Sequence, residues 1–165
     1  MALKRHLLLS SLTSLLKLYS GSLVFIIIAR YLSLENFGAL NFGFSLGLIV
    51  GTCAEFGYSL MSSRDIPQEK FDTHTYVINT LIQKVFVSFI ISCATIIYVF
   101  YFISQEDCSI ALTFMGYGLI ASFVNYYLSL FRAKGFFKKE LFATAFYASM
   151  ISFTIILAII YEWHI

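Results

Sequence analysis

Charged residues are scarce in this chain of 165 residues, of which only 12% are charged and 59% are hydrophobic. A soluble domain usually has about 25% charged residues, so too little polar surface remains here to cover a water-soluble core. Proline is nearly absent as well, with Pro67 as its single occurrence. We find no linker, no low-complexity tract and no second soluble domain. The composition predicts one compact helical unit in a membrane.

The sequence also lacks the usual residue patterns of metal sites, disulfide frameworks and enzymes. The three cysteines have no Cys-x-x-Cys or Cys/His spacing, which favours buried, inert thiols: Cys53, Cys93 and Cys108. The three histidines are far apart in the chain: His6, His74 and His164. The adjacent acids Glu106 and Asp107 have no neighbouring base, and no Walker lysine motif is present. We therefore expect no cofactor, no catalytic activity and no nucleic-acid partner.

Five apolar runs are each long enough to cross the roughly 30 Å of hydrocarbon as a helix. They cover about Leu7–Ala29, Leu40–Met61, Val77–Ile103, Ile110–Phe131 and Leu141–Tyr161. Spanning strands are excluded because the runs are too long and do not alternate strictly. Lys17 interrupts what would otherwise resemble a signal peptide, so the first run is predicted to be an uncleaved span. The fold class predicted is an all-α, polytopic membrane protein with a single transmembrane domain over residues 1–165.

The basic residues predict the orientation. Eight of the eleven lysines and arginines lie in segments 4–5, 64–70 and 132–139, which must share one side of the membrane. By the positive-inside rule, that side is cytoplasmic and includes the N-terminus. The basic, aromatic segment 132–139 is explained by topology, with attraction to anionic lipid headgroups as the alternative.

The first four spans each have small or polar residues on one face. In the second span Gly43, Gly47 and Gly51 recur every fourth residue, which favours close helix packing over a flexible hinge. Serine, threonine and asparagine form stripes at spacings of three and four, and Asn125 belongs to the stripe of the fourth span. Two interpretations stay open: the stripes join helices by hydrogen bonds, or they line a water-accessible cavity.

Three charged residues lie within the apolar runs, Lys17, Glu55 and Lys84, and the first two are the candidate cavity residues. Lys17 lies near the middle of the first span, where a lysine costs about 2.5–3.5 kcal/mol on insertion scales. Glu55 lies closer to the end of the second span, and the estimated depths of the two differ by roughly 6 Å. The hypotheses are a structural Lys17–Glu55 ion pair or a functional cationic site at Lys17.

The segment from Arg30 to Asp65 resembles bacterial polysaccharide-export (O-antigen) flippases. The resemblance rests on Ala29–Gly38, on the glycine-rich second span ending in Glu55-Phe56-Gly57-Tyr58-Ser59, and on Ser63-Arg64-Asp65. These flippases belong to a superfamily that includes multidrug extruders and the lipid II flippase. The resemblance implies a transporter in the inner membrane that moves an undecaprenyl-diphosphate-linked oligosaccharide across the bilayer for O-antigen, lipopolysaccharide or capsular polysaccharide synthesis.

The same resemblance implies alternating access around a cationic cavity, with Lys17 suited to that cavity and Arg30 and Arg64 at gates or lipid headgroups. It also implies the lipid-linked oligosaccharide, membrane lipids and polysaccharide polymerase or assembly proteins as partners. Such flippases have about twelve spans in two similar halves. We therefore expect the chain to be an N-terminal portion, a partial first bundle that is inactive alone.

Two alternatives remain from the sequence. The first is a cation-coupled multidrug-type extruder in which Glu55 binds a proton or sodium ion. The second is a non-transporting membrane subunit or remnant whose glycine face docks a partner.

Overall fold

A computed structural model describes residues 11–15, 26, 30, 33–68 and 72–162, with the backbone alone for 106 and 151–162. Besides the helical residues 11–15, the helices are α1 (Leu34–Glu55), α2 (Tyr58–Asp65), α3 (Thr73–Phe102), α4 (Gln105–Ala133) and α5 (Phe137–Glu162). A short 3₁₀ turn, Ile66–Gln68, follows α2. No strand occurs in these described ranges, so the all-α prediction is confirmed.

Three helical segments in the described part of the chain are long and apolar enough to cross a membrane. They are Leu34–Gln68, Thr73–Phe102 and Asp107–Ala133. Each of these helices begins several residues before the corresponding predicted apolar run. The first turn of each helix contains polar residues, so a search for apolar runs does not include it. Asp72, for example, caps α3 by accepting hydrogen bonds from the backbone N–H and hydroxyl of Thr75, which lower its pKa.

The second predicted span is two helices rather than one. Phe56 and Gly57 adopt the left-handed region, with φ values of 42° and 78°, and separate α1 from α2. Glycine accepts this conformation easily, whereas phenylalanine seldom does. The Phe56 ring is 73% exposed, so the left-handed turn directs a large apolar side chain outward. The break lies directly after Glu55, the one acid within the apolar run.

Helices α1 and α4 lie parallel and in backbone contact. A Cβ on Gly43 would lie 2.9 Å from Ile110 Cγ2, and one on Gly51 would lie 2.8 Å from the carbonyl oxygen of Gly118. A Cβ on Gly47 would overlap the carbonyl oxygen of Phe114, and one on Gly118 would overlap that of Gly47. Glycines on both helices therefore allow the two backbones to touch. The contacts advance toward the C-terminus along both helices, so the helices are parallel.

Residues Leu34–Lys134 form one compact unit, here called the central unit, and α5 belongs to another. In α5, Glu140 and Thr144 lie one turn apart and their side chains are buried. The predicted first span lies mostly outside the described residues.

Candidate functional site

The Lys84 side chain of α3 is fully buried within the central unit, at 0% exposure. Its Nζ atom donates to three acceptors: the Ala54 carbonyl oxygen at 3.2 Å, Glu55 Oε2 at 3.3 Å and Ser122 Oγ at 2.6 Å. An ammonium group has three N–H donors, so each has an acceptor. This complete set of bonds allows a charged lysine to remain inside an apolar helix bundle.

Glu55 receives donors on both carboxylate oxygens. Oε2 accepts from Lys84 and, at 3.2 Å, from the Ser122 hydroxyl. Oε1 accepts from the Ser59 backbone N–H at 3.3 Å and from the Ser59 hydroxyl. The carboxylate therefore joins three helices: α2 through Ser59, α3 through Lys84 and α4 through Ser122.

The helix break determines where these charges lie. Helix α1 ends at Glu55, so the Ala54 carbonyl has no amide partner further along α1 and accepts from Lys84 instead. Helix α2 begins at Tyr58, and the carboxylate of Glu55 accepts one of its first free amides. A cation thus lies at the negative end of α1 and an anion at the positive end of α2, which is the favourable arrangement for both helix dipoles.

Three aromatic rings surround the Lys84 ammonium. Its Nζ atom lies 5.8 Å from the ring centroid of Tyr58, 5.2 Å from that of Phe123 and 5.8 Å from that of Tyr126. Cation–π attraction at such distances contributes about 0.5–2 kcal/mol per ring, depending on desolvation. The low-dielectric surroundings of the buried ammonium strengthen its attraction to the Glu55 carboxylate, whose side chain is 22% exposed.

The helix register explains how residues far apart in sequence meet. Glu55 lies one turn after Gly51 on α1, and Ser122 lies one turn after Gly118 on α4. The parallel glycine contact therefore continues directly into the Glu55–Ser122 hydrogen bond. Lys84 lies on α3, which follows the turn at Ile66–Gln68 and crosses the membrane in the opposite direction to α1.

The residues predicted as a cavity site do not all come together. Glu55 lies in the ion-pair cluster. Asn125 on α4 is exposed and does not bond to Lys84 or Glu55; Arg30 is exposed. Arg64 is 68% exposed and its Nε atom bonds to Asp65 Oδ1 at 2.8 Å. Lys17 lies outside the described residues, so its proposed pairing with Glu55 stays a prediction.

Lys84 was not predicted as the partner of Glu55, although the sequence contains the signal for it. Glu55 lies six residues before Met61, the predicted end of its span, and Lys84 lies seven residues after Val77, the predicted start of the next. Consecutive spans are antiparallel, so the two charges have nearly equal depth, about 9–10 Å from the shared loop. Depth matching would have favoured Lys84 over Lys17. Nothing in the sequence singled out Ser122 from the other serines.

The ion pair and the helix break lie together within one predicted membrane span. Charged residues within membrane spans are costly and mark functional paths, and broken helices occur in membranes where they line sites rather than face lipid. Among the residues that the structure describes, no group of three histidine, cysteine or acidic side chains could hold a metal ion. The chemistry available here is electrostatic: an ammonium and a carboxylate that can bind each other or exchange partners.

A family model described as "Polysaccharide biosynthesis protein" matches residues 4–164, nearly the whole chain. Neither a curated protein nor a solved structure matches this chain.

Proposed function

The chain belongs to the polysaccharide biosynthesis protein family, and from this membership we propose a transporter of the flippase type. Its substrate is an undecaprenyl-diphosphate-linked oligosaccharide, which it moves from the cytoplasmic to the periplasmic leaflet of the bacterial inner membrane. The product supplies O-antigen, lipopolysaccharide or capsular polysaccharide synthesis. Membrane lipids and polysaccharide polymerase or assembly proteins are the partners that this function requires.

The observation that supports the proposal is the pairing of Glu55 with the buried Lys84 at the break between α1 and α2. A polar headgroup crossing a bilayer needs charged or hydrogen-bonding groups inside the membrane, and it needs those groups to change partners. The left-handed turn at Phe56 and Gly57 lets α2 move relative to α1. Such a movement separates Ser59 from Glu55 and opens one side of the cluster.

Lys84 supplies positive charge to the path when the cluster opens. A diphosphate carries the negative charge that a desolvated ammonium attracts most strongly. In the closed arrangement Glu55 neutralises Lys84, so no uncompensated charge faces the lipid. Lys17, the other lysine within a predicted span, is proposed as a second cation of the same path, with Arg30 and Arg64 at its ends.

A gene deletion tests this function. Without the gene, we expect lipid-linked oligosaccharide to accumulate on the cytoplasmic leaflet and surface polysaccharide to disappear; the wild-type gene restores both. Unchanged surface polysaccharide in the deletion strain, with no other flippase gene present, contradicts the proposal and favours a non-transporting subunit or remnant.

The orientation proposed has the N-terminus in the cytoplasm, as the basic segments suggest. In a variant without native cysteines, Glu106→Cys should react with a membrane-impermeant maleimide added from the periplasm, and Lys138→Cys should not. The opposite labelling pattern contradicts this orientation.

The multidrug-type extruder is the alternative within the same superfamily. It requires Glu55 to bind a proton or a sodium ion, whereas the Lys84 ammonium already lies 3.3 Å from Oε2. This geometry favours the flippase. Drug efflux that depends on a cation gradient and is lost in Glu55→Gln would support the extruder instead.

A further inference from the structure

A pocket of about 420 Å³ lies beside α2 and the first half of α3. Its lining residues are Tyr58, Met61, Asp65, Asp72, Thr75, Tyr76, Asn79, Thr80 and Gln83. We propose that this pocket binds an uncharged pyranose unit of the transported oligosaccharide. The identity of the natural ligand rests on the proposed function, whereas binding of simple glycosides can be measured without it.

One face of α3 forms most of the pocket. The six lining residues from Asp72 to Gln83 follow spacings of three, one, three, one and three, which place them on a single helix face. Five of the six are neither aliphatic nor aromatic, although three of these five lie inside the apolar run that begins at Val77: Asn79, Thr80 and Gln83. The volume lies within the range of about 300–1,000 Å³ typical of small-molecule sites.

The charges of the pocket do not suit a phosphate. Among the residues that the structure describes, the pocket lining includes no lysine, arginine or histidine. Both lining acids are already compensated: Asp65 accepts from Arg64 Nε at 2.8 Å and from the Tyr76 hydroxyl at 3.2 Å. Asp72 lies at the positive end of α3 and accepts from Thr75. The described lining therefore offers no cation to a diphosphate and no uncompensated acid to a cation, which favours an uncharged ligand.

Two amides supply hydrogen-bonding capacity that the described part of the protein does not use. Asn79 and Gln83 lie one turn apart, their side chains are exposed, and neither bonds to another described residue. A side-chain amide has two N–H donors and an acceptor oxygen, and lipid can satisfy neither. Neighbouring hydroxyls of a pyranose each donate and accept, so they match a pair of amides at this spacing. Tyr76 also lines the pocket, and an aromatic ring can pack against the C–H surface of a sugar.

Buried hydroxyls near the pocket add to this capacity. The side chains of Ser62 and Tyr126 are fully buried, and their oxygens have no hydrogen-bond partner of normal geometry in the described ranges. The Tyr126 hydroxyl lies near those of Ser62 and Thr80, and Thr80 lines the pocket. Unsatisfied buried hydroxyls are uncommon and often mark a site for water or a ligand.

Tyr58 connects the pocket to the ion pair. It lines the pocket, and its ring lies 5.8 Å from Lys84 Nζ. Along α3, Lys84 directly follows Gln83. A sugar in the pocket therefore lies next to the ammonium that the proposed function assigns to the diphosphate, so the two sites fit adjacent parts of one substrate.

The test measures glycoside binding by saturation-transfer NMR on the purified chain in an amphipol, which avoids sugar-based detergents. The probes are the neutral methyl glycosides of glucose, galactose, mannose and N-acetylglucosamine, with methyl glucuronide as the anionic comparison. The variants are Asn79→Ala and Gln83→Ala. The matched controls are Asn41→Ala and Gln105→Ala, which remove exposed amides of the same type outside the pocket.

We expect saturation transfer to at least one neutral glycoside, and a weaker signal for methyl glucuronide. Each pocket variant should weaken binding about fivefold, the effect of losing roughly one hydrogen bond, and each control should leave it unchanged. No transfer to any neutral glycoside, equal transfer in pocket and control variants, or preference for glucuronide would each overturn the proposal. If the purified chain binds glycosides but deletion of its gene leaves polysaccharide export intact, the pocket proposal stands and the flippase proposal is rejected. If export depends on the gene but no glycoside binds, the flippase proposal stands and the pocket proposal is rejected.

Discussion

Lys84 Nζ and Glu55 Oε2 lie 3.3 Å apart, at the point where the second span breaks between α1 and α2. Neither partner alone is suited to an apolar bundle, and each also bonds to a helix end that the break leaves open. The ion pair and the helix break therefore stabilise each other. A continuous helix would offer Lys84 no free carbonyl at Ala54, and without Lys84 the acid would lie in the bundle without a counter-ion.

Removing only the lysine should be more harmful than removing the pair. Lys84→Met leaves the Glu55 carboxylate without its counter-ion, which should destabilise the protein by about 3–5 kcal/mol. The double variant Glu55→Gln/Lys84→Met should recover most of that loss, because two neutral groups need no charge compensation. Unfolding in mixed detergent with denaturant, followed by circular dichroism, measures both values. Lys134→Met, at an exposed lysine of the turn after α4, is the control; equal losses in single and double variants would reject the pair as a coupled unit.

The glycine contact between α1 and α4 gives a prediction with an internal control. Gly47→Ala places a Cβ against the Phe114 carbonyl oxygen, so the helices must separate, at a cost of about 1–3 kcal/mol. Gly116→Ala, on α4 with no atom near its Cβ position, should be neutral or stabilise by about 0.4–1 kcal/mol. The same unfolding measurement compares them. A harmless Gly47→Ala would show that the helices do not approach as closely as described.

The left-handed turn should tolerate glycine and resist alanine. Gly57 has a φ of 78°, so Gly57→Ala should destabilise the folded state by about 1–2 kcal/mol. Phe56→Gly should be neutral or stabilising, because Phe56 adopts a φ of 42° with its ring largely exposed. Gly38→Ala, inside α1 with open space around it, controls for loss of a glycine. Thermal unfolding in detergent distinguishes these outcomes; a neutral Gly57→Ala would indicate a continuous helix.

Lys17 gives a functional prediction that is independent of the central unit. Lys17→Ala should abolish export of lipid-linked sugar while leaving membrane insertion intact, because an alanine is easier to insert than a lysine. The measurement is surface polysaccharide in a deletion strain that carries the variant, with membrane-fraction abundance as the control for insertion. Normal surface polysaccharide would remove Lys17 from the proposed path.

The sequence predicted the helical class, the approximate positions of the long helices and Glu55 as a residue of interest. It could not predict the break, because Glu55-Phe56-Gly57 lies within an apolar run and an isolated glycine is compatible with a continuous helix. The left-handed conformation of Phe56 is a tertiary effect that local propensity opposes. The pairing of Lys84 with Glu55 could have been predicted from the nearly equal depths of the two residues in consecutive spans. The bond between Lys84 and Ser122 could not, since the position of Ser122 depends on the register of the parallel α1–α4 packing.

The most direct test of the account is export by the double variant Glu55→Gln/Lys84→Met in the deletion strain. We expect this variant to insert and fold but to leave surface polysaccharide at the level of the deletion strain, because the path has lost the Lys84 ammonium. Export at the wild-type level by the folded double variant would contradict the account and make the pair a structural element alone.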